Sequence, residues 1–100
     1  MEIIYNKAAI DDLVALDSYI SYQYHDINIR KRLLKKITAT ISLLEKNPNL
    51  GPKISDRFKI QSSFHYLIVA KQIVFYDIKD NTIEIIRILD SRQDYISILF

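Results

Sequence analysis

The stretch from Phe64 to Leu89, FHYLIVAKQIVFYDIKDNTIEIIRIL, decides the fold. Three runs rich in Ile, Val, Phe and Tyr lie within it: Phe64–Ala70, Ile73–Ile78 and Thr82–Leu89. β-branched and aromatic side chains pack well on a pleated surface, so each run predicts a strand. Only Lys71-Gln72 and Lys79-Asp80-Asn81 separate them. A parallel crossover needs about a dozen residues, so connectors this short force an antiparallel meander.

Upstream the period changes. Ala9, Leu13, Leu16, Ile20 and Tyr24 recur at spacings of three and four, which predicts an amphipathic helix from Lys7 to about Tyr24 with Asn6 as its N-cap. Asp11, Asp12, Asp17 and Ser21 fall off that stripe. His25, Asp26 and Asn28 interrupt it, and Asp26 is placed to cap a second helix with the stripe Leu33, Leu34, Ile37, Ile41 and Leu44. Arg30, Lys31, Arg32, Lys35 and Lys36 read as lying mainly off this second stripe. Before the helices, Glu2–Asn6 (EIIYN) is short, apolar and aperiodic, an N-terminal strand. Between helices and meander, Asn47–Pro52 (NPNLGP) holds both prolines and the only glycine, and ends the helical half. Arg57–Gln61 is expected to add an irregular strand, and Arg92–Phe100 to pack down through Tyr95, Ile96, Leu99 and Phe100. The expected architecture is α+β: an N-terminal strand, a two-helix hairpin, then an antiparallel β-meander packed on the helices.

The chain has 100 residues, the size of one domain, so residues 1–100 are read as a single unit. Its hydrophobic content of 49%, with one Gly and two Pro, excludes a disordered tail or a repetitive fibre. Without cysteine there is no disulfide and no thiolate chemistry. With only His25 and His65, no histidine metal centre is expected. The expectation is a chain with no metal and no cofactor. No leader-like start and no apolar run approaching about 18 residues is present, so a cytoplasmic protein without a membrane partner is expected.

The net charge of +2 conceals a separation. Residues 1–29 carry one base and five acids; residues 30–59 carry nine bases against Glu45 and Asp56; the rest is nearly balanced. Such a cationic block attracts phosphate or an acidic protein, and its bland reading is a solvated helix face.

No nucleophile elbow, zinc-helix motif or phosphate-cradling glycine loop occurs. The candidate functional residues are therefore polar groups near strand ends: Arg57, Lys59, His65, Arg87, Asp90, Arg92, Asp94 and Tyr95. Each also has a structural reading. Arg92 and Asp94 could form a helix cap with a local ion pair, His65 a satisfied core histidine, and the tyrosines boundary residues with wet hydroxyls.

The order of elements, together with AAIDDL in the first helix, NPNLGP, IVFYDIKDNTIEIIRIL and the terminal RQDY, resembles the ParE/RelE superfamily of bacterial type II toxin–antitoxin toxins. The resemblance implies a growth-inhibiting toxin held inactive in a hetero-oligomer by an acidic, DNA-binding antitoxin. ParE-like members poison DNA gyrase, whereas RelE-like members cut mRNA on the ribosome. RNA cleavage needs an acid, a base and cations at the phosphate. Where RelE-like members carry a strand arginine this chain has Ile73, and Asp90-Ser91 replaces a frequent His-Gly. Only His65, Arg92 and Tyr95 remain as a catalytic set for a metal-independent ribonuclease. The sequence therefore favours the gyrase-binding reading, with Arg92, Asp94 and Tyr95 expected to contact the target and Asp94 to hold Arg92. The antitoxin is expected to dock on Arg30, Lys31, Lys35, Arg57 and Lys59. A relative that binds antitoxin without being toxic is the third reading.

Overall fold

The computed structural model describes residues 1–100. Its elements are β1 (Glu2–Tyr5), α1 (Lys7–Gln23), α2 (Ile27–Ser42), β2 (His65–Val69), β3 (Gln72–Lys79), β4 (Thr82–Asp90) and α3 (Tyr95–Leu99). Short 3₁₀ turns lie at Leu43–Glu45 and Ile54–Asp56. Both predicted caps form: the Ala9 amide donates to Asn6 Oδ1 at 2.9 Å and the Asn28 amide to Asp26 Oδ1 at 2.8 Å. Each satisfies one of the amides that a helix start leaves without an intrahelical acceptor.

The sheet order is β1-β4-β3-β2. β2, β3 and β4 form the expected antiparallel meander. β1 joins at the far edge, parallel to β4, with Glu2 opposite Thr82 and Tyr5 opposite Ile85. The β2–β3 connection is tight: Ala70 and Lys71 both adopt left-handed backbone, with φ of 50° and 64°. Two-residue hairpins favour such turns because their twist matches the strands, although neither residue is the glycine or asparagine usual there. A register shift between Phe75 and Tyr76 leaves Ile86 of β4 without a partner, a bulge in that strand.

Both faces of the sheet are covered, which is why β3 is buried without a break from Gln72 to Asp77. On one face Val74, Tyr76, Ile83, Ile85 and Ile88 meet Ala9 of α1 and Ile37 and Ile41 of α2. On the other, Ile73, Phe75 and Leu89 are capped by Ile54, Phe58, Phe64, Tyr95 and Leu99. The second layer corrects one expectation. Arg57–Gln61 is no strand, because Phe58 turns inward to cover a sheet face and packs edge-on against Tyr95 with ring centroids 6.2 Å apart. The only ladder contact nearby is an isolated bridge between Lys53 and His65.

The NPNLGP loop is tied to the sheet by buried polar groups. The Tyr76 hydroxyl donates to the Pro48 carbonyl at 2.8 Å and accepts from the Gly51 amide at 2.9 Å. Burial pushes the pKa of that phenol up, which keeps it a donor. Gly51 lies so close to β2 that a Cβ would fall on the Tyr66 carbonyl, so only glycine fits.

Candidate functional site

The C-terminal end of β4 carries the site picked out by sequence. Arg92 forms a fork with Asp90: Nε donates to Oδ1 at 2.9 Å and Nη2 to Oδ2 at 3.0 Å, while the Arg92 amide donates to Oδ1 at 2.8 Å. The guanidinium beside Asp90 draws its carboxyl down to about 2. The carboxylate in turn, and after it the Tyr19 hydroxyl, pushes Arg92 up. The Arg92 side chain is 75% exposed, so the pair leaves the cation within reach of a partner.

Asp94 does not hold Arg92, contrary to expectation. It caps α3 instead, accepting from the Ser97 hydroxyl at 2.8 Å and from the Ser97 amide. A carboxylate at the start of a helix is better used on free amides than on a neighbouring cation already paired with Asp90. Tyr95 packs the segment down as expected: its ring lies in the second core layer, 5.5 Å from the Phe75 ring. Of the three, Arg92 is the exposed cation, Asp94 is exposed but engaged in the cap, and Tyr95 is half-buried.

His65 is buried on the helical side of the sheet. Its Nδ1 lies 2.7 Å from the Gly51 carbonyl, which only accepts, so Nδ1 carries the proton. The ring stacks on Tyr76 with centroids 5.1 Å apart. His65, Arg92 and Tyr95 are thus not gathered at one place: one braces the NPNLGP loop, one is exposed at the sheet end, and one packs on the opposite face. Nor do three His, Asp or Glu side chains converge anywhere on a common point that could hold a metal ion.

The cationic block is split as well. Arg30 sits three, four and seven residues before Leu33, Leu34 and Ile37, which puts it on the packed stripe of α2 rather than off it. Its guanidinium reaches Asp17 of α1 at 3.3 Å, and its Nε is buried without a partner. Lys31 and Lys35 are exposed on α2. Arg57 and Lys59 flank Phe58 on the other side of the sheet, with the Arg57 guanidinium 5.6 Å from the Phe58 ring centre. The five residues therefore form two patches separated by the sheet.

Sequence reading missed one clamp entirely. Beyond Tyr5, β1 no longer covers β4, and Asp12 of α1 takes its place. Asp12 accepts from Arg87 Nε at 2.8 Å, from Arg87 Nη2 at 2.9 Å and from the Ile88 amide at 2.9 Å. This corrects the placing of Asp12 on the solvated side of α1: its side chain is only 13% exposed. The signal was its position, three residues after Ala9 and four before Leu16, beside the stripe. An acid there demands a partner. A second missed feature is a cleft of about 290 Å³ between the helical hairpin and the β2–β3 turn, lined among others by Tyr19, Tyr24, Lys36, Lys71, Gln72 and Asp90.

A mixed four-stranded sheet with a helical hairpin on one face and a C-terminal segment on the other, ending in an exposed cation, defines a small α+β protein. The fold is similar to a solved chain described as the chromosomal ParDE TA system from P. aeruginosa, with a TM-score of 0.75, 16% identity, and coverage of 90% of this chain and 95% of that one. The family model for the ParE toxin of the type II toxin–antitoxin system parDE matches residues 3–95, and the chain belongs to that family. No individually curated protein matches the sequence. Family membership makes the chain the toxin of a ParDE-type pair and implies an antitoxin partner. No helix is long and apolar enough to cross a membrane.

Proposed function

We propose that this toxin arrests growth by binding and poisoning DNA gyrase in the cytoplasm, and that a cognate acidic, DNA-binding antitoxin neutralises it. The observation that carries the reading is the state of the polar groups on the sheet. His65 is buried and committed to the Gly51 carbonyl, and Arg87 is committed to Asp12. An acid–base mechanism needs such groups within hydrogen-bond reach of substrate, whereas binding a protein target needs an exposed anchor. Arg92 supplies that anchor, with Asp90 orienting it and Asp94 and Tyr95 fixing the segment behind it. The antitoxin meets Lys31 and Lys35 on α2 and Arg57 and Lys59 on the opposite side, which requires a chain that wraps around the toxin.

The test is expression in a bacterial host without the antitoxin, combined with a supercoiling assay on purified toxin and gyrase. Growth arrest with inhibited supercoiling is expected, and it should persist in a folded His65→Ala variant, because no proton transfer through that ring is involved. Cleaved ribosome-bound messages with supercoiling intact, and loss of both cleavage and arrest in His65→Ala, would overturn the reading in favour of RNA cleavage. Arrest that is absent altogether would assign the chain to the non-toxic, antitoxin-binding class.

A further inference from the structure

The acids of α1 are all engaged: Asp11 with Lys7, Asp12 with Arg87 and Asp17 with Arg30. α2 is the opposite case. Its 16 residues contain no Asp or Glu, and Lys31, Arg32, Lys35 and Lys36 are exposed and make no ion pair. At about 100° per residue these four side chains fan across an arc of about 140°, with Lys31, Lys35 and Arg32 on the outer side of the helix and Lys36 at the edge that borders the cleft. The other residues in that arc are Asn28, Ala39 and Ser42, all exposed and small or polar, and at its C-terminal end the exposed Leu43. The large apolar side chains Leu33, Leu34, Ile37 and Ile41 lie on the inner side, with Ile37 and Ile41 fully buried. Apart from the N-cap Asp26, no acid interrupts the field until Glu45, beyond the end of the helix.

The composition of this face selects among polyanions. An amphipathic acidic helix docks by burying a continuous apolar seam, whereas the exposed apolar side chains here, Ile27 and Leu43, stand at opposite ends of α2, about 24 Å apart. A membrane surface calls for a row of aromatic or aliphatic side chains that enter the headgroup layer, and between Ile27 and Leu43 this face has none. A phosphate backbone asks only for cations and small hydrogen-bonding groups on a convex rod.

We infer that the outer face of α2 binds the phosphate backbone of duplex DNA without regard to sequence. With four cations engaged, counterion release sets the expected salt dependence: a slope of log affinity against log salt of about −3.6, and so a loss of about a hundredfold between 50 and 200 mM salt. The inference goes beyond the gyrase reading and stands apart from it, since it concerns the isolated chain and DNA alone. It also gives Arg32 and Lys36 a role, two cations that the antitoxin reading leaves unused.

The experiment uses the full-length purified toxin and a fluorescein-labelled 20-base-pair duplex, with anisotropy titrations from 50 to 200 mM KCl. Two double variants of equal net charge are compared, Arg32→Gln/Lys36→Gln on α2 and Lys53→Gln/Lys79→Gln elsewhere, each first checked for an unchanged melting temperature. The α2 pair should reduce the slope by about 1.8, and the distant pair should leave it within the error. No binding at 50 mM KCl, or equal losses from the two pairs, would overturn the inference. An acidic 20-residue polyglutamate peptide forms the last arm. If it binds as tightly as the duplex and is lost with the same α2 variant, the face belongs to acidic protein and the DNA assignment fails. The two readings also fail separately: gyrase inhibition that survives Arg32→Gln/Lys36→Gln leaves the target reading intact whatever happens to DNA binding.

Discussion

Arg87 and Arg92 lie five residues apart, and each grips an aspartate through two nitrogens at 2.8–3.0 Å. The chemistry is the same, yet the two pairs do different things. Arg87 reaches across 75 residues of sequence to Asp12, with side chains 29% and 13% exposed, and the same carboxylate takes the Ile88 amide where β1 stops. Arg92 reaches back only two residues to Asp90 and stays 75% exposed. A desolvated pair between distant elements is costly to break, because removing one partner strands the other's charge. An exposed local pair is screened by water and joins groups that the chain already holds together. The difference teaches that geometry alone does not rank an ion pair: sequence separation and solvent access do.

The sharpest way to break the comparison is Asp12→Ala. It leaves Arg87 and the Ile88 amide without an acceptor at a partly buried site, and a loss of about 2–3 kcal/mol is expected. For a domain this size that corresponds to a drop of about 10–20 °C in melting temperature, read by calorimetry or circular dichroism. A drop no larger than that of an exposed α1 control such as Ser18→Ala would remove the distinction.

Arg92→Ala is the complementary case. The melting temperature and antitoxin affinity should stay nearly constant while growth arrest is lost. A variant that melts clearly earlier yet still arrests growth would show that Arg92 only pins the chain end.

The smallest effect is a titration. Asp90 is held at about 2, below its ordinary value of 3.8. A carboxyl whose folded pKa is depressed stabilises the fold above its unfolded pKa, and that contribution fades as pH falls from about 4 towards 2. Carbon-13 NMR of the side-chain carboxyl should show the depressed midpoint in the parent. In Arg92→Ala the midpoint should rise towards 3.8, since the first cause of the shift is the hydrogen bond from Arg92. A midpoint that does not move would place the cause elsewhere, for instance in Gln72, the lesser contributor.

Much of the local structure was legible because it is written in short-range periods. The alternation to strand-forming runs after NPNLGP, the spacing of Ala9, Leu13, Leu16 and Ile20, and the caps Asn6 and Asp26 each concern residues within a turn or two of one another. The resemblance to the toxin family rested on these same segments. Legibility failed where a side chain's fate depends on something far along the chain. Asp12 and Arg30 read as solvated charges, and both are drawn into the interior by partners on other elements. His65 is the satisfied core histidine of its structural reading, but its partner, a loop carbonyl 14 residues away, was not legible.

The sequence by itself determined the main helices and strands, their order and the antiparallel meander, since connectors of two or three residues leave no other pairing, though not the path of Arg57–Gln61. It also determined the acid-free composition of α2 and the exposed cation after the last strand. Only the tertiary structure decided that β1 lies parallel to β4 at the far edge, because that pairing joins residues about 80 positions apart and no local period encodes it. Only the tertiary structure, too, divided the cationic block between two sides of the sheet. Phe58 must cover the face that the helices leave bare, and in doing so it carries Arg57 and Lys59 away from α2. Burial of apolar area, which acts over any sequence distance, overrode the proximity of like charges along the chain.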